Sequence, residues 1–131
     1  MTDRITLVKK AYEAMKFSYS PYSGFKVGAA LLCENGNIYT GCNVENSAFS
    51  PTNCAERTAF FKAVSEGERD FVAIAIVGGK NGEIRDFCYP CGVCRQVMSE
   101  FCDEDFEIIT TDSKEIKSHT LKELLPESFK I

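Results

Sequence analysis

Apolar and polar residues alternate along the chain with two different periods, and these periods predict helices and strands in mixed order. Near the start, apolar residues recur at helical spacing behind Thr2 or Asp3, either of which could serve as an N-cap. Pro21 ends this first helix. The residues that the spacing places on one helical face are Ile5, Val8, Tyr12 and Met15.

Strand patterns follow this helix. The runs FKVGAALLC (25–33) and NIYTGCNV (37–44) are typical of two strands, and Asn35-Gly36 between them is the strongest short signal of a β-hairpin. The run FVAIAIVGG (71–79) is continuously apolar over the length of a strand, which is typical of a central strand covered on both faces.

Further helices are predicted over about 53–65 and 91–102, with a short one near 121–125, and a last clear strand over 106–111. The order of elements is then α-β-β-α-β-α-β-α. We expect a single domain over residues 1–131, with a mixed sheet that carries helices on both faces as a three-layer α/β sandwich.

Composition and charge narrow the class of partner. The chain of 131 residues carries a formal net charge of −4, and it has no run of 18 apolar residues. Neither a nucleic-acid surface nor a membrane span is therefore expected. The charged amino terminus, MTDRITLVKKAYEAMK, lacks the apolar core of a signal peptide, which favours a cytoplasmic protein with a small-molecule ligand.

The seven cysteines are informative because a reducing compartment favours metal binding or redox chemistry over a disulfide framework. Three of them lie where helices are predicted to begin: Cys54 before the second helix, and Cys91 and Cys94 at the start of the third. The other four occupy apolar or strand-like surroundings and are interpreted as small buried hydrophobic residues. These four are Cys33, Cys42, Cys88 and Cys102.

The three cysteines at helix starts predict a site for one Zn²⁺ per chain. Helical side chains lean toward the amino end, and helix amino termini stabilise thiolates, so the three thiols are expected to converge. His119 lies far along the chain and is interpreted as a surface residue, while Cys88 and Cys102 are weaker candidates for a fourth ligand. Three ligands with an open position are typical of catalytic zinc, although Cys91 and Cys94 alone also suit a redox or structural motif.

Two charged residues of the segment CAERTA are predicted to act at this zinc site. Glu56 is poorly placed to bind the same ion as Cys54, but its side chain can reach the open coordination position and shuttle protons there. Arg57 is positioned to donate hydrogen bonds to the cysteine sulfurs, which offsets the net negative charge of zinc with three thiolates. Arg95 is a weaker candidate for the same task.

Cysteine, alanine and glutamate followed at a distance by P-C-x-x-C form the zinc deaminase signature in its three-cysteine variant. The chain resembles the small homotetrameric cytidine deaminases over nearly its whole length. The matching segments are PYSGFKVGAALL, GCNVENSAF, CAERTA, PCGVCRQ and LLPESF. The resemblance implies a mixed five-stranded sheet flanked by helices, and a homotetramer whose active sites are completed by neighbouring subunits.

The resemblance also implies substrate contacts. Asn43 and Glu45 match residues that hydrogen-bond the ribose 3′-hydroxyl, and their alternation would let both point to one face of a strand. Phe25 matches an aromatic residue near the pyrimidine, and the backbone of Ala55 matches a group at the base edge. The family commonly has tyrosine where this chain has Phe49. The residues that match contacts across a subunit interface are Ala48, Phe49 and Phe129.

These matches imply hydrolytic deamination of cytidine and 2′-deoxycytidine to uridine and 2′-deoxyuridine with release of ammonia, a step of cytoplasmic pyrimidine salvage. One alternative is a deaminase of the same fold that acts on another aminonucleoside or on a base within RNA, although the acidic charge balance disfavours RNA. A second alternative is a zinc-stabilised binding module or a thiol redox protein, which would leave Glu56 unexplained.

Overall fold

The computed structural model describes residues 2–131 and has four helices and five strands within that range. In chain order they are α1 (Arg4–Met15), β1 (Phe25–Cys33), β2 (Ile38–Cys42), α2 (Ala55–Ser65), β3 (Phe71–Lys80), α3 (Gly92–Phe101), β4 (Glu107–Thr111), β5 (Ile116–Thr120) and α4 (Leu121–Leu124). All of these except β5 lie where the apolar patterns predict them. None of the helices in the described range combines the length and apolar character needed to cross a bilayer.

The five strands form one mixed sheet in the order β2-β1-β3-β4-β5. β1 runs antiparallel to β2 and to β3, β3 and β4 are parallel, and β5 returns antiparallel to β4. β3 is therefore central, as its continuous apolar run predicts, and its residues 73–79 are buried. The expected mixed five-stranded sheet flanked by helices is confirmed.

Helices cover both faces of the sheet. On one face, Leu7, Ala11 and Met15 of α1 form an apolar cluster with residues of β1, β3 and β4. On the other face, Phe60 of α2 and Met98 of α3 belong to a second and larger apolar cluster. The result is the predicted three-layer sandwich, and it brings the starts of α2 and α3 together.

The predicted apolar face of α1 is wrong in part. Ile5 and Tyr12 are 59% and 45% exposed, whereas Leu7 and Ala11 are buried. α1 crosses β1 at Gly28 so closely that a Cβ atom there would lie 2.0 Å from the carbonyl oxygen of Ala11. Because a close approach of two backbones needs small residues, the stripe that contains alanines faces the sheet instead of the stripe of larger side chains.

The two edge strands depart most from the predicted pattern. β5 was not predicted because its sequence, IKSHT, is mostly polar, and its residues are exposed or half-buried. β2 ends at Cys42, before the predicted boundary at 44. An edge strand with an exposed face carries polar residues there, so the apolar signal that marks an interior strand is weakened.

Candidate active site

Three cysteine sulfurs meet where α2 and α3 begin. Cys54 and Cys91 are the N-cap residues of the two helices, both with extended backbone angles, and Cys94 lies in the first turn of α3. The Sγ atoms of Cys54 and Cys91 lie 3.8 Å apart, and those of Cys91 and Cys94 lie 3.5 Å apart. All three sulfurs are within 4.8 Å of one another, so the fold brings the three predicted ligands together.

This arrangement fits a zinc ion. Zinc–sulfur bonds of about 2.3 Å in tetrahedral geometry place neighbouring sulfurs about 3.8 Å apart, which is the separation observed between Cys54 and Cys91. Within residues 2–131, the group of metal-ligating side chains comprises only these three cysteines, so a tetrahedral ion would keep one position open. Both helices also direct their partially positive amino ends at the sulfurs and favour the thiolate form that zinc requires.

Arg57 lies one turn along α2 from Cys54, and its Nη2 atom donates a hydrogen bond of 3.2 Å to the Cys54 Sγ atom. Hydrogen bonds from Cys94 and from Arg57 lower the pKa of Cys54 to about 5. Donation to Cys54, together with burial, raises the pKa of Cys94. The cluster therefore already stabilises one thiolate, and a divalent cation would favour deprotonation of the remaining thiols.

Glu56 lies in the first turn of α2 with only 4% of its surface exposed, and Ala55 before it is fully buried. Burial raises the pKa of the Glu56 carboxyl group to about 7, and the negative charge of Cys54 contributes to the same shift. A carboxyl group with a pKa near neutrality can both accept and release a proton. The fold thus places a group suited to proton transfer beside the sulfurs.

Arg95 donates its hydrogen bonds to backbone carbonyls and not to the sulfurs, so its prediction as a second donor to them is wrong. Its Nε atom donates to the carbonyl oxygen of Pro90 over 2.8 Å, and its Nη1 atom donates to the carbonyl oxygen of Leu124 over 2.7 Å. Arg95 follows Cys94 directly, and adjacent positions on a helix face different directions, so the two side chains diverge.

The other four cysteines lie outside the cluster, and two of them are buried as predicted whereas two are not. Cys33 and Cys102 are buried, whereas Cys42 and Cys88 are half-buried. Burial raises the pKa of all four, to about 11 for Cys33 and about 12 for Cys88 and Cys102. These residues are protonated thiols near neutral pH. His119, on β5, also lies outside the cluster.

Asn43 and Glu45 follow the end of β2, so the prediction that they alternate within a strand is wrong. Val44, between them, pairs with Asn53 through two backbone hydrogen bonds of 2.9 Å each. Because Asn53 immediately precedes Cys54, this pairing holds the segment beside the start of α2. Asn43 and Glu45 are therefore held close to the cysteine cluster by an isolated β-bridge and not by a continuous strand.

Backbone groups hold both of these polar side chains in place. The Oδ1 atom of Asn43 accepts a hydrogen bond of 2.9 Å from the N–H group of Val27. Glu45 accepts from the N–H groups of Tyr22 and Ser23, at 2.9 Å and 3.2 Å, and the Ser23 hydroxyl lowers the pKa of its carboxyl group. Tyr22 and Ser23 lie in the segment PYSGFKVGAALL, but no local pattern marks them as supporting residues.

The aromatic residues assigned by resemblance are exposed in the single chain. Phe25, Phe49 and Phe129 keep 40%, 73% and 68% of their surface exposed, and Ala48 is exposed as well. Phe49 contacts Tyr22 edge-on, with the ring centroids 6.3 Å apart. Next to this pair is an open groove of about 380 Å³. The residues that line the groove are Tyr22, Ser23, Glu45, Phe49 and Thr52.

The fold and the cysteine cluster together indicate a class of protein. A metal with three protein ligands keeps a position for water, and a buried carboxyl group beside it can move protons to and from that water. This arrangement, at the starts of two helices that cover one face of a mixed sheet, is typical of a zinc-dependent hydrolase.

Comparison with known proteins identifies the family within this class. The sequence model of the cytidine and deoxycytidylate deaminase zinc-binding region matches residues 1–110, and the chain belongs to this family. It is 52% identical over 124 residues to a cytidine deaminase of Sporosarcina psychrophila, covering 94% of this chain and 88% of that protein. It is also 48% identical over 128 residues to a cytidine deaminase of Halalkalibacterium halodurans, covering 97% and 94% of the two chains.

Solved structures agree with the sequence relatives. The crystal structure of cytidine deaminase from Burkholderia pseudomallei matches with a TM-score of 0.90 at 41% identity, covering 98% of this chain and 100% of that chain. The predicted family, fold and zinc cofactor are confirmed. The alternative of a deaminase for a different aminonucleoside is not favoured by these relatives.

Proposed function

We propose that this protein catalyses hydrolytic deamination of cytidine and 2′-deoxycytidine to uridine and 2′-deoxyuridine, with release of ammonia. The observation that carries this proposal is the burial of Glu56 beside three converging sulfurs, in a chain of this family. Hydrolysis of the C4–amino bond requires that water lose a proton and that the amino group gain one. The three sulfurs would hold a metal ion that activates the water, and Glu56 would carry the protons.

The zinc would be held by Cys54, Cys91 and Cys94. When bound, it acts as a Lewis acid and lowers the pKa of water. A divalent ion with three thiolates carries one net negative charge, which opposes this effect. Arg57 offsets that charge through its hydrogen bond to Cys54, and the amino ends of α2 and α3 add to the compensation.

Glu56 moves the protons. It accepts a proton from the attacking water and delivers it to N3 of the pyrimidine while the water oxygen bonds to C4. It then transfers the proton of the new hydroxyl group to the 4-amino group, which leaves as ammonia as the C4 carbonyl forms. The carboxylate is regenerated, so the same group carries out both transfers and is ready for the next water molecule.

Asn43 and Glu45 would bind the ribose 3′-hydroxyl of the nucleoside. An amide and a carboxylate can together donate to and accept from a sugar hydroxyl, and the open groove beside Glu45 leaves room for the sugar. Phe25 would pack near the pyrimidine, and the backbone of Ala55 would contact the base edge. The bridge between Val44 and Asn53 holds the sugar-binding residues close to the zinc ligands.

We propose a homotetramer in which Ala48, Phe49 and Phe129 enter the active sites of neighbouring subunits. Phe49 and Phe129 are largely exposed in the single chain, and burial of two aromatic rings at an interface would favour association. The seven cysteines, all within residues 2–131, are free of disulfide bonds, which agrees with a reducing compartment such as the cytoplasm. Its reaction there would serve pyrimidine salvage.

The proposal is tested by incubating the purified protein with cytidine, 2′-deoxycytidine, free cytosine and a short cytidine-containing RNA. The ultraviolet change from the cytosine to the uracil ring reports turnover, and zinc is measured per chain on the same sample. We expect both nucleosides to react, the free base and the RNA to react poorly, and a chelator to abolish turnover. Zinc-loaded protein that leaves both nucleosides unchanged would contradict the proposal. Sedimentation analysis at assay concentration separately tests the tetramer.

A further inference from the structure

The Arg95 side chain joins two backbone segments that are distant in sequence. It donates from Nε to the carbonyl oxygen of Pro90 and from Nη1 to the carbonyl oxygen of Leu124. The guanidinium group presents its donors in a rigid planar fork, so two bonds from one group fix the relative positions of both acceptors. The first acceptor precedes Cys91, a zinc ligand, and the second belongs to α4.

The carbonyl of Pro90 controls the geometry of the next residue. Its oxygen and the nitrogen of Cys91 belong to one planar peptide unit, so holding the oxygen limits rotation of that unit and of the bond that leads to the Cys91 Cα atom. Pro90 is fully buried, whereas Cys91 is exposed. Because Cys91 is exposed, packing restrains its side chain little. The position of its sulfur therefore depends mainly on the orientation of the preceding peptide unit.

The second acceptor is part of a well-anchored element. α4 begins at Thr120, where the Thr120 and Glu123 side chains each accept a hydrogen bond from the other residue's backbone N–H group. The Leu124 carbonyl lies in the last turn, where carbonyl groups lack intrahelical partners and favour a cationic donor. Arg95 thus fastens the peptide before Cys91 to a helix that is itself fixed to the end of β5.

We propose that Arg95 is a positioning residue for zinc: by holding the Pro90 carbonyl against the end of α4, it orients Cys91 toward the other two sulfurs. Its hydrogen bonds go to backbone carbonyls and not to a cysteine sulfur. The inference rests on the zinc site of the proposed function but not on the identity of the substrate. Loss of the Arg95 bonds should therefore weaken zinc retention first, and lower turnover only as a consequence.

The test compares zinc release from Arg95→Gln, Arg95→Lys and the wild type, using a chromophoric chelator in excess. Loss of an outer residue that orients a metal ligand typically costs about 10–100-fold in affinity, so we expect zinc to leave Arg95→Gln faster by about that factor. Arg95→Lys keeps the charge but cannot hold both carbonyls in a fixed fork, so an intermediate rate is expected. The thiolate-to-cobalt absorption of the cobalt-substituted proteins provides a second readout, since its intensity reports the geometry of the sulfurs.

Arg69 provides a matched control because its Nη1 atom also donates to two backbone carbonyls, those of Val64 and Glu68, on a different part of the surface. Arg69→Gln is expected to lose some stability and to release zinc at the wild-type rate. Wild-type release from Arg95→Gln, or equal acceleration in Arg69→Gln, would overturn the proposal. If Arg95→Gln does not fold, Arg95→Lys decides by the same comparison. Failure of the wild type to deaminate nucleosides would refute the proposed function while leaving this comparison valid.

Discussion

The Nη2 atom of Arg57 donates a hydrogen bond of 3.2 Å to the Sγ atom of Cys54, across one turn at the start of α2. The bond places a cation against the sulfur of Cys54, which is also the N-cap residue of the helix. Both the guanidinium group and the helix amino end stabilise negative charge on that sulfur. Arg57 would therefore help to set how strongly the thiolates donate charge to a bound zinc ion.

Arg57→Gln is expected to lower kcat for cytidine by about 10–100-fold, the usual effect of removing a hydrogen bond to a metal ligand. KM should change less, because the side chain contacts a sulfur and not the nucleoside in the proposed site. Steady-state kinetics at saturating zinc provide the measurement. Arg85→Gln, which removes an exposed arginine paired with Glu83, should leave both constants unchanged. Unaltered kcat in Arg57→Gln would contradict the role given to this residue.

Glu56→Gln is expected to fold and bind zinc but to lose turnover by about 10²–10⁴-fold, the range for removal of a general acid–base group. The amide keeps the size of the side chain and cannot cycle a proton. Activity and zinc content are measured on the same preparation. Glu66→Gln, at the exposed C-cap of the same helix, serves as the control and should behave as wild type. Substantial activity in Glu56→Gln would require another proton carrier.

Gly41→Ala should disturb the zinc site through packing. A Cβ atom at Gly41 would lie 2.5 Å from the carbonyl oxygen of Ala55 at the start of α2, and overpacking of this kind costs about 1–3 kcal/mol of stability. Because α2 carries Cys54 and Glu56, we expect weaker zinc binding as well as a lower unfolding midpoint. Calorimetry and zinc titration of the folded protein test both effects.

Gly28→Ala supplies the comparison for this prediction. A Cβ atom there would meet α1, on the opposite face of the sheet, at 2.0 Å from the carbonyl oxygen of Ala11. This variant should lose stability and keep the zinc affinity of the wild type. Equal losses of zinc affinity in Gly28→Ala and Gly41→Ala would show that general destabilisation, and not displacement of α2, is responsible.

Glu68 should make stability depend on acid pH. Hydrogen bonds from Asn37, Tyr39 and Asn35 lower the pKa of its carboxyl group. A group whose pKa is lower in the folded state stabilises the fold above its unfolded pKa, about 4.3 for glutamate, and this contribution is lost as the pH falls through the folded value. Urea unfolding at pH 7 and at about pH 3 should show a smaller loss of stability for Glu68→Gln than for the wild type. An identical loss in both proteins would show that Glu68 does not contribute to the pH dependence of stability.

The sequence by itself determined the features that depend on neighbouring residues. The apolar run of β3 predicts a buried central strand, and Asn35-Gly36 predicts the hairpin between β1 and β2. The zinc ligands were predictable for a similar reason, because Cys54, Cys91 and Cys94 lie at helix starts, where side-chain direction and local charge follow from the helix itself. The family signature then singled out Glu56 from other helical glutamates.

Only the tertiary structure decided which apolar stripe of a helix is buried and which of two arginines contacts a sulfur. α1 has two apolar stripes, and the close approach of its backbone to Gly28 selects the stripe that contains alanines. Arg57 and Arg95 both lie near zinc ligands in sequence, yet only Arg57 contacts a sulfur, since Arg95 is drawn to the Pro90 and Leu124 carbonyls. Such choices depend on contacts between segments far apart in the chain, and local periodicity carries no information about them.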